Sequence, residues 1–194
     1  MTSGPGPPAG TAAVLLCAGA GSRYEARDGT HKLLAPFRGR PLVSWAVDAV
    51  LRAGFAATYV VTGAADLSGL LRAPAVEVAN PRWAAGQATS LACGVDAADR
   101  DGFDAVVVGL GDQPLVTAAC WRAVASSGAP VAVATYSGRR RNPVRLARAV
   151  WAELPRSGDA GARVLMSERP DLVAEVACDG DPLDVDVVTD GTTR

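Results

Sequence analysis

Five short apolar runs, at residues 12–17, 58–62, 76–79, 104–110 and 131–135, recur along the chain with helix-spaced segments between them. Runs such as Ala-Val-Val-Val-Gly-Leu are apolar at successive positions rather than at every second one. That pattern predicts strands covered on both faces, as in a parallel sheet. Between the first two runs, segment 41–52 opens on Pro41 and sets Leu42, Trp45, Ala46, Ala49 and Val50 at helical spacing, with Gly54 as its stop. Further helices are expected at 66–71, 89–98, 117–125, 145–153 and 160–168. Strands alternating with helices imply right-handed βαβ units and a three-layer α/β domain on a mostly parallel sheet. Beyond Gly138 the alternation weakens, so a strand or hairpin in mixed orientation is expected to join the sheet there. Residues 1–11, rich in Pro and Gly, read as a flexible tail, and 12–194 as one domain long enough for a full core.

Charge excludes several kinds of partner. With 19 Lys+Arg against 20 Asp+Glu and 5% aromatic residues, the chain has neither the basic excess nor the stacking surface of a nucleic-acid or membrane-surface binder. No Lys or Arg precedes Arg23, so the first apolar run lacks the basic lead of a signal peptide. No run approaches the roughly 18–20 residues needed to span a bilayer, and the expected location is the cytoplasm. Cys17, Cys93, Cys120 and Cys178 are spread without a C-x-x-C pair, so neither a zinc site nor a disulfide is expected, only small core thiols. His31 is the sole histidine, which disfavours histidine metal sites and Ser-His or Cys-His triads.

In open α/β sheets, ligands bind at the C-terminal ends of the strands. The first run leads into Leu16-Cys17-Ala18-Gly19-Ala20-Gly21-Ser22-Arg23. Glycines there let backbone N–H groups converge on an anion, and Arg23 and Lys32 could neutralise a triphosphate. A dinucleotide fingerprint would need a third glycine where Tyr24 stands, and an acid in the stretch between Asp28 and Asp48, which has none. A Walker loop would need Gly-Lys-Ser/Thr, which is absent. A plain strand-to-helix turn with a solvated arginine is the bland alternative. The fourth run ends in Gly111-Asp112-Gln113-Pro114, which places an aspartate where Mg²⁺ could bind through a carboxylate and phosphate oxygens. A turn or helix-capping aspartate fits that position equally well.

The pattern continues through Lys32-Leu33-Leu34, Phe37-Arg38-Gly39-Arg40-Pro41-Leu42, Asn80-Pro81-Arg82-Trp83, residues 86–91, Gly111 to Leu115, and residues 158–163. In order and spacing, from about Ala12 to Asp190, the chain resembles the MobA-like nucleotidyltransferases and is most similar to the molybdenum cofactor cytidylyltransferases among them. The resemblance implies a Rossmann-like nucleotidyltransferase fold and Mg²⁺-dependent transfer from a nucleoside triphosphate to a phosphate-bearing acceptor, molybdopterin, with release of pyrophosphate. CTP is favoured by Ala18, where the guanylyl branch usually has a Gly-Gly pair. A molybdoenzyme is the implied partner for the product.

By the same match, Cys17, Ala18, Gly19, Ala20, Gly21, Ser22, Arg23, Lys32, Asn80, Ser90 and Gly111 would bind the nucleotide. Arg139, Asn142, Pro143, Asp159 and Arg163 would line the acceptor side. Arg23, Lys32 and Asp112 would carry catalysis, and Asp112 with Asp186 would hold the metal, Asp184 being the lesser match. The chain departs from the family in a longer spacer at 24–31, in Arg141 and Asn142 where Gly and His are usual, and in Val187-Val188 for Thr-Pro. Local readings stay open beside these. Thr89 or Ser90 could be a helix N-cap, 139–143 an exposed basic loop, 158–163 an Asp-capped helix start and 184–190 an edge strand. Functional alternatives are a related transferase using GTP or a sugar phosphate, a nucleotide-binding module without turnover, and a nicotinamide-dependent oxidoreductase.

Overall fold

The computed structural model describes residues 6–21, 29–180 and 182. Strand β1 (Thr11–Leu16) is followed by a small hairpin, β2 (Pro36–Phe37) with β3 (Arg40–Pro41), then helix α1 (Leu42–Ala53) and strands β4 (Thr58–Thr62) and β5 (Ala75–Ala79). Helix α2 (Gln87–Arg100), β6 (Ala105–Leu110), α3 (Ala118–Ala125), β7 (Val131–Tyr136) and β8 (Arg139–Ala147) come next. Helix α4 (Ala162–Glu168) and β9 (Val173–Ala177) close the described fold.

The large sheet has the order β5-β4-β1-β6-β8-β7-β9. All neighbours are parallel except β8, which runs against both β6 and β7. The alternation of side chains across β1 explains why its run is apolar throughout. Ala13 and Leu15 face a core with Val43, Val47 and Val50 of α1 and Trp121 and Val124 of α3. Ala12 and Val14 face a second core with Leu91, Val95 and Ala98 of α2. Two covered faces favour apolar side chains at successive positions, with polar residues such as Thr11 only at the strand end, as in a three-layer, mostly parallel, partly mixed architecture.

The mixed strand expected past Gly138 is β8, but its extent corrects the sequence reading. The helix expected at 145–153 does not form. Residues up to Ala147 stay in β8, and Arg148–Glu153 make only 3-10 turns. Val144 and Leu146 are buried on either side of the half-exposed Arg145, a period of two, and pairing with β6 and β7 enforces it over the weaker helical spacing. The helix expected at 66–71 is a single turn, Ser68–Leu70, because Asp66 Oδ1 accepts from the Ser68 N–H and hydroxyl in a local turn. Cys120 and Cys178 are joined as a disulfide, against the expectation of core thiols alone. Spacing could not reveal this, since tertiary packing brings their Cα atoms to 5.3 Å across 58 residues. No described helix is long and apolar enough to cross a membrane.

Candidate active site

Strand β1 delivers the glycine-rich loop to the C-terminal edge of the sheet. Cys17 N–H donates to Val61 O at 2.8 Å and Ala64 N–H to Ala18 O at 3.1 Å, so the loop leaves the sheet from a fixed point. Cys17 and Ala18 are buried, while Gly19 and Ala20 are exposed. A Cβ on Gly111 would come within 2.5 Å of Cys17 Sγ, so the ends of β1 and β6 are pressed together there. Burial first, and the nearby Asp112 charge second, push the Cys17 thiol far above its ordinary range. It is a packing group, not a nucleophile. Gly21 takes φ +64°, and a Cβ there would stand 2.9 Å from Lys32 Cβ, so the returning loop lies directly on Lys32.

Lys32 begins the 3-10 turn Lys32–Leu34 and is buried. Its Nζ donates to Asp112 Oδ2 at 2.8 Å, an ion pair that joins the segment after the glycine loop to the end of β6 across 80 residues of chain. His31 sits one residue before it. Its Nδ1 accepts the Leu33 N–H at 3.2 Å, so the ring proton lies on Nε2, which donates to Gly19 O at 2.9 Å. Asp112 offers one hard carboxylate beside the exposed loop, and that fits a magnesium ion whose coordination is completed by phosphate oxygens. Among the described residues no three His, Cys, Asp or Glu side chains gather into a preformed metal cage.

Next to this edge lies a cleft of about 1160 Å³, large enough for a nucleotide and a second molecule. Leu16, Leu91, Val108, Leu110, Val133 and Val144 contribute apolar lining, and Arg140, Arg141, Arg163, Asn142, Gln87 and Gln113 contribute polar lining. The Asn142 carbonyl accepts from the Tyr136 hydroxyl at 3.2 Å, which fixes one wall, and burial pushes that hydroxyl up to about 12. Arg140 is drawn to Glu175 on β9 at 2.8 Å. The chain past β9 returns to the same edge. Gly180 bridges to Val116, and Gln113 Nε2 donates to Pro182 O at 3.1 Å.

A family profile, the MobA-like NTP transferase domain, matches residues 13–173. The chain belongs to the MobA-like NTP transferase family. A nicotine blue oxidoreductase from Paenarthrobacter nicotinovorans is 33% identical over 192 residues, covering 91% of each chain. The crystal structure of Rv0371c from Mycobacterium tuberculosis superposes with a TM-score of 0.77 at 29% identity, covering 91% of this chain and 92% of that one. That protein has also been solved in complex with manganese. A nucleotidyl transferase from Methanothermobacter gives a TM-score of 0.71 at 28% identity, with 87% of each chain covered.

On this MobA-like frame the expected site residues separate into groups. Gly19, Ala20, Gly21, Lys32, Gly111 and Asp112 meet at one edge of the sheet, while Ser22, Arg23, Asp184 and Asp186 lie outside the described residues. Asn80 and Ser90 are buried in a network. Asn80 Nδ2 donates to Thr89 Oγ1 at 2.8 Å and to Ser90 Oγ at 2.9 Å, and its Oδ1 accepts from Arg82 N. They hold the 80–83 turn against α2 and offer no exposed face. Neither Thr89 nor Ser90 is an N-cap, because α2 starts earlier, with Gly86 at that position.

Asp159 corrects another local reading. Its Oδ1 accepts from Gln87 N at 3.3 Å, so it caps α2 from a distant loop, and α4 begins only at Ala162. Asn142, Asp159 and Arg163 line the cleft; Arg139 and Pro143 do not, Pro143 being buried in β8. The stretch 139–143 is strand, not a basic loop, and Arg140 and Arg141 take the cleft-lining place expected of Arg139. His31 went unassigned in the sequence reading. Its position immediately before Lys32 was the available signal.

Proposed function

We propose that the protein transfers a nucleotidyl group from a nucleoside triphosphate, CTP by preference, to a phosphate-bearing acceptor of the molybdopterin kind. The observation that carries this reading is the convergence of an exposed glycine loop, Lys32 and Asp112 just past the strand ends whose Leu16, Leu110 and Gln113 also line an arginine-edged cleft. An acceptor phosphate oxygen bonds to the α-phosphorus as the bond from that phosphorus to the bridging β-phosphate oxygen breaks, and pyrophosphate leaves. A phosphate nucleophile is already anionic at neutral pH, so the reaction needs no general base. What it needs is positioning and charge neutralisation. Backbone N–H groups of Gly19, Ala20 and Gly21 cradle the triphosphate, Arg23 and Lys32 offset its charge, and Arg140, Arg141 and Arg163 hold the acceptor's anion. Asp112, with Asp186, is the ligand set for Mg²⁺, which when bound polarises the α-phosphate and shields the leaving pyrophosphate.

Lys32 shares Asp112 in the structure, and this gives the pair a second purpose. The ammonium holds the carboxylate in place until the metal and triphosphate arrive. The decisive experiment incubates the protein with CTP, GTP, ATP or UTP, molybdopterin and Mg²⁺, and measures pyrophosphate. CTP-selective release is expected; GTP selectivity, or no release with any triphosphate, would overturn the assignment.

One observation favours a second reading. The Paenarthrobacter relative is named an oxidoreductase, and the apolar lining of the cleft would also suit a flat aromatic molecule. Against it, strand β4 ends at Thr62 and is followed by Gly63, with no acid in the place where a dinucleotide site puts one to bind the ribose. Oxidation of NADH or NADPH by the protein in the presence of a quinone-type dye, without pyrophosphate release from any triphosphate, would favour this reading over transfer.

A further inference from the structure

We infer that His31 is a positioning residue that holds the glycine loop in its triphosphate-binding shape; the inference rests on the nucleotidyl-transfer reading. The imidazole makes two different bonds at once. Nδ1 accepts the Leu33 N–H at 3.2 Å, capping the 3-10 turn that carries Lys32, and Nε2–H donates to Gly19 O at 2.9 Å, twelve residues earlier. The Leu33 bond forces the tautomer that the Gly19 bond requires. The ring is thus a crossbar between two elements of the site, the exposed loop and the Lys32–Asp112 pair.

Loop geometry shows why a crossbar is needed. Gly21 sits at φ +64°, and a Cβ built there would stand 2.9 Å from Lys32 Cβ and 3.6 Å from His31 Nε2. The loop therefore folds back onto His31 and Lys32. Its outer residues, Gly19 and Ala20, are exposed and carry no side chain able to anchor them. With the Gly19 carbonyl tied inward to the ring, the peptide planes around it have a defined orientation, and the N–H groups on the outer side are set before ligand arrives. Without that tie, the ordering must be done on binding, and affinity falls by the fraction of time the loop is competent. His31 touches no reacting atom in this scheme.

Two substitutions separate the role from simple capping. His31→Asn keeps a side-chain acceptor for Leu33 but is too short to reach Gly19; His31→Gln places an amide N–H near the position of Nε2. Three quantities are measured on wild type and both variants: KM for CTP, kcat, and ligand-free amide hydrogen exchange over residues 15–21. His31→Asn should raise KM by about five- to tenfold, the effect of losing one hydrogen bond, with kcat within about twofold and faster loop exchange. His31→Gln should recover most of both. Wild-type KM and loop protection in His31→Asn would overturn the positioning role and leave only a cap. If wild-type protein binds no nucleoside triphosphate, the transfer reading itself falls, whatever the exchange data show.

Discussion

Gly94→Ala tests how tightly α2 is seated on the sheet. In an unobstructed helix interior, alanine for glycine stabilises by about 0.8–1.0 kcal/mol. Here an added Cβ would lie 2.4 Å from Val14 Cγ1 and 3.2 Å from both Val14 Cγ2 and Val61 Cγ2, where carbon atoms normally sit about 3.5–4.0 Å apart. Relief requires the helix to lift by more than about 1 Å or Val14 to change rotamer. Val14 is fully buried at the sheet centre and stiff at χ1, so it has nowhere to turn. Overpacking of this kind typically costs about 1–3 kcal/mol, occasionally more, and the close contact puts this case in the upper half of that range. The net expectation is a destabilisation of about 1–2 kcal/mol, or a Tm lower by roughly 2–8 °C for a chain of this size. Thermal unfolding followed by circular dichroism measures it. In a double-mutant cycle with Val14→Ala, the pair should be less destabilised than the sum of the single variants, since the second change removes the clashing methyls. A Tm increase for Gly94→Ala alone would refute the argument and mean that α2 rides higher above β1.

Four further outcomes are expected. Lys32→Met should lower kcat/KM for the triphosphate by about 10²–10³ while leaving a cooperative thermal transition, because it removes the charge that holds Asp112 and that the proposed reaction sets against the triphosphate; an effect below fivefold would exclude that role. Asp159→Ala should destabilise by about 0.5–1 kcal/mol through the lost α2 cap, with less than a threefold change in acceptor KM; a large KM effect without loss of stability would show that Asp159 serves the acceptor from the cleft wall rather than as a cap. Asp48 is buried, which by itself raises its pKa, but hydrogen bonds and charge from Arg40 and Arg72 outweigh burial and hold it below its usual range. Its folded pKa is therefore the lower one, so the stability it adds is complete above the unfolded pKa near 3.9 and is lost as pH falls through the folded value. Asp48→Asn should thus lose about 1–3 kcal/mol at pH 7 in urea titrations, and the gap to wild type should narrow below about pH 4. Under non-reducing conditions Cys178→Ser should cost about 4 kcal/mol, the chain-entropy value for a 58-residue separation, and an unchanged urea midpoint would show that the Cys120–Cys178 bond does not form in solution.

Much of the fold could be read in advance because its signals are local. The runs that become β1, β4, β6 and β7 are apolar at successive positions, and helix α1 carries its own spacing and its stop at Gly54. The readings that failed are those in which a distant segment decides. Residues 145–147 have enough helical spacing to mislead, and only the open edges of β6 and β7 draw them into β8. Asp159 looks like a cap for the helix that follows it, yet the N–H its carboxylate accepts belongs to Gln87, 72 residues earlier. Packing likewise decides that Asn80 and Ser90, which the motif alone leaves without partners, hydrogen-bond to each other across the 80–83 turn.

The sequence alone determined the alternation of strand and helix, the glycine loop at the end of β1, the aspartate at the end of β6, and the family that shares their order. These are properties of short stretches, set by side-chain period and backbone preference. The tertiary structure decided which of those stretches act together. Lys32 meets Asp112 across 80 residues, His31 ties back to Gly19, and Cys120 pairs with Cys178. No local pattern encodes such contacts, because each partner's conformation is compatible with many neighbours. Burial of both faces of the sheet selects among them, by bringing the ends of β1 and β6 side by side.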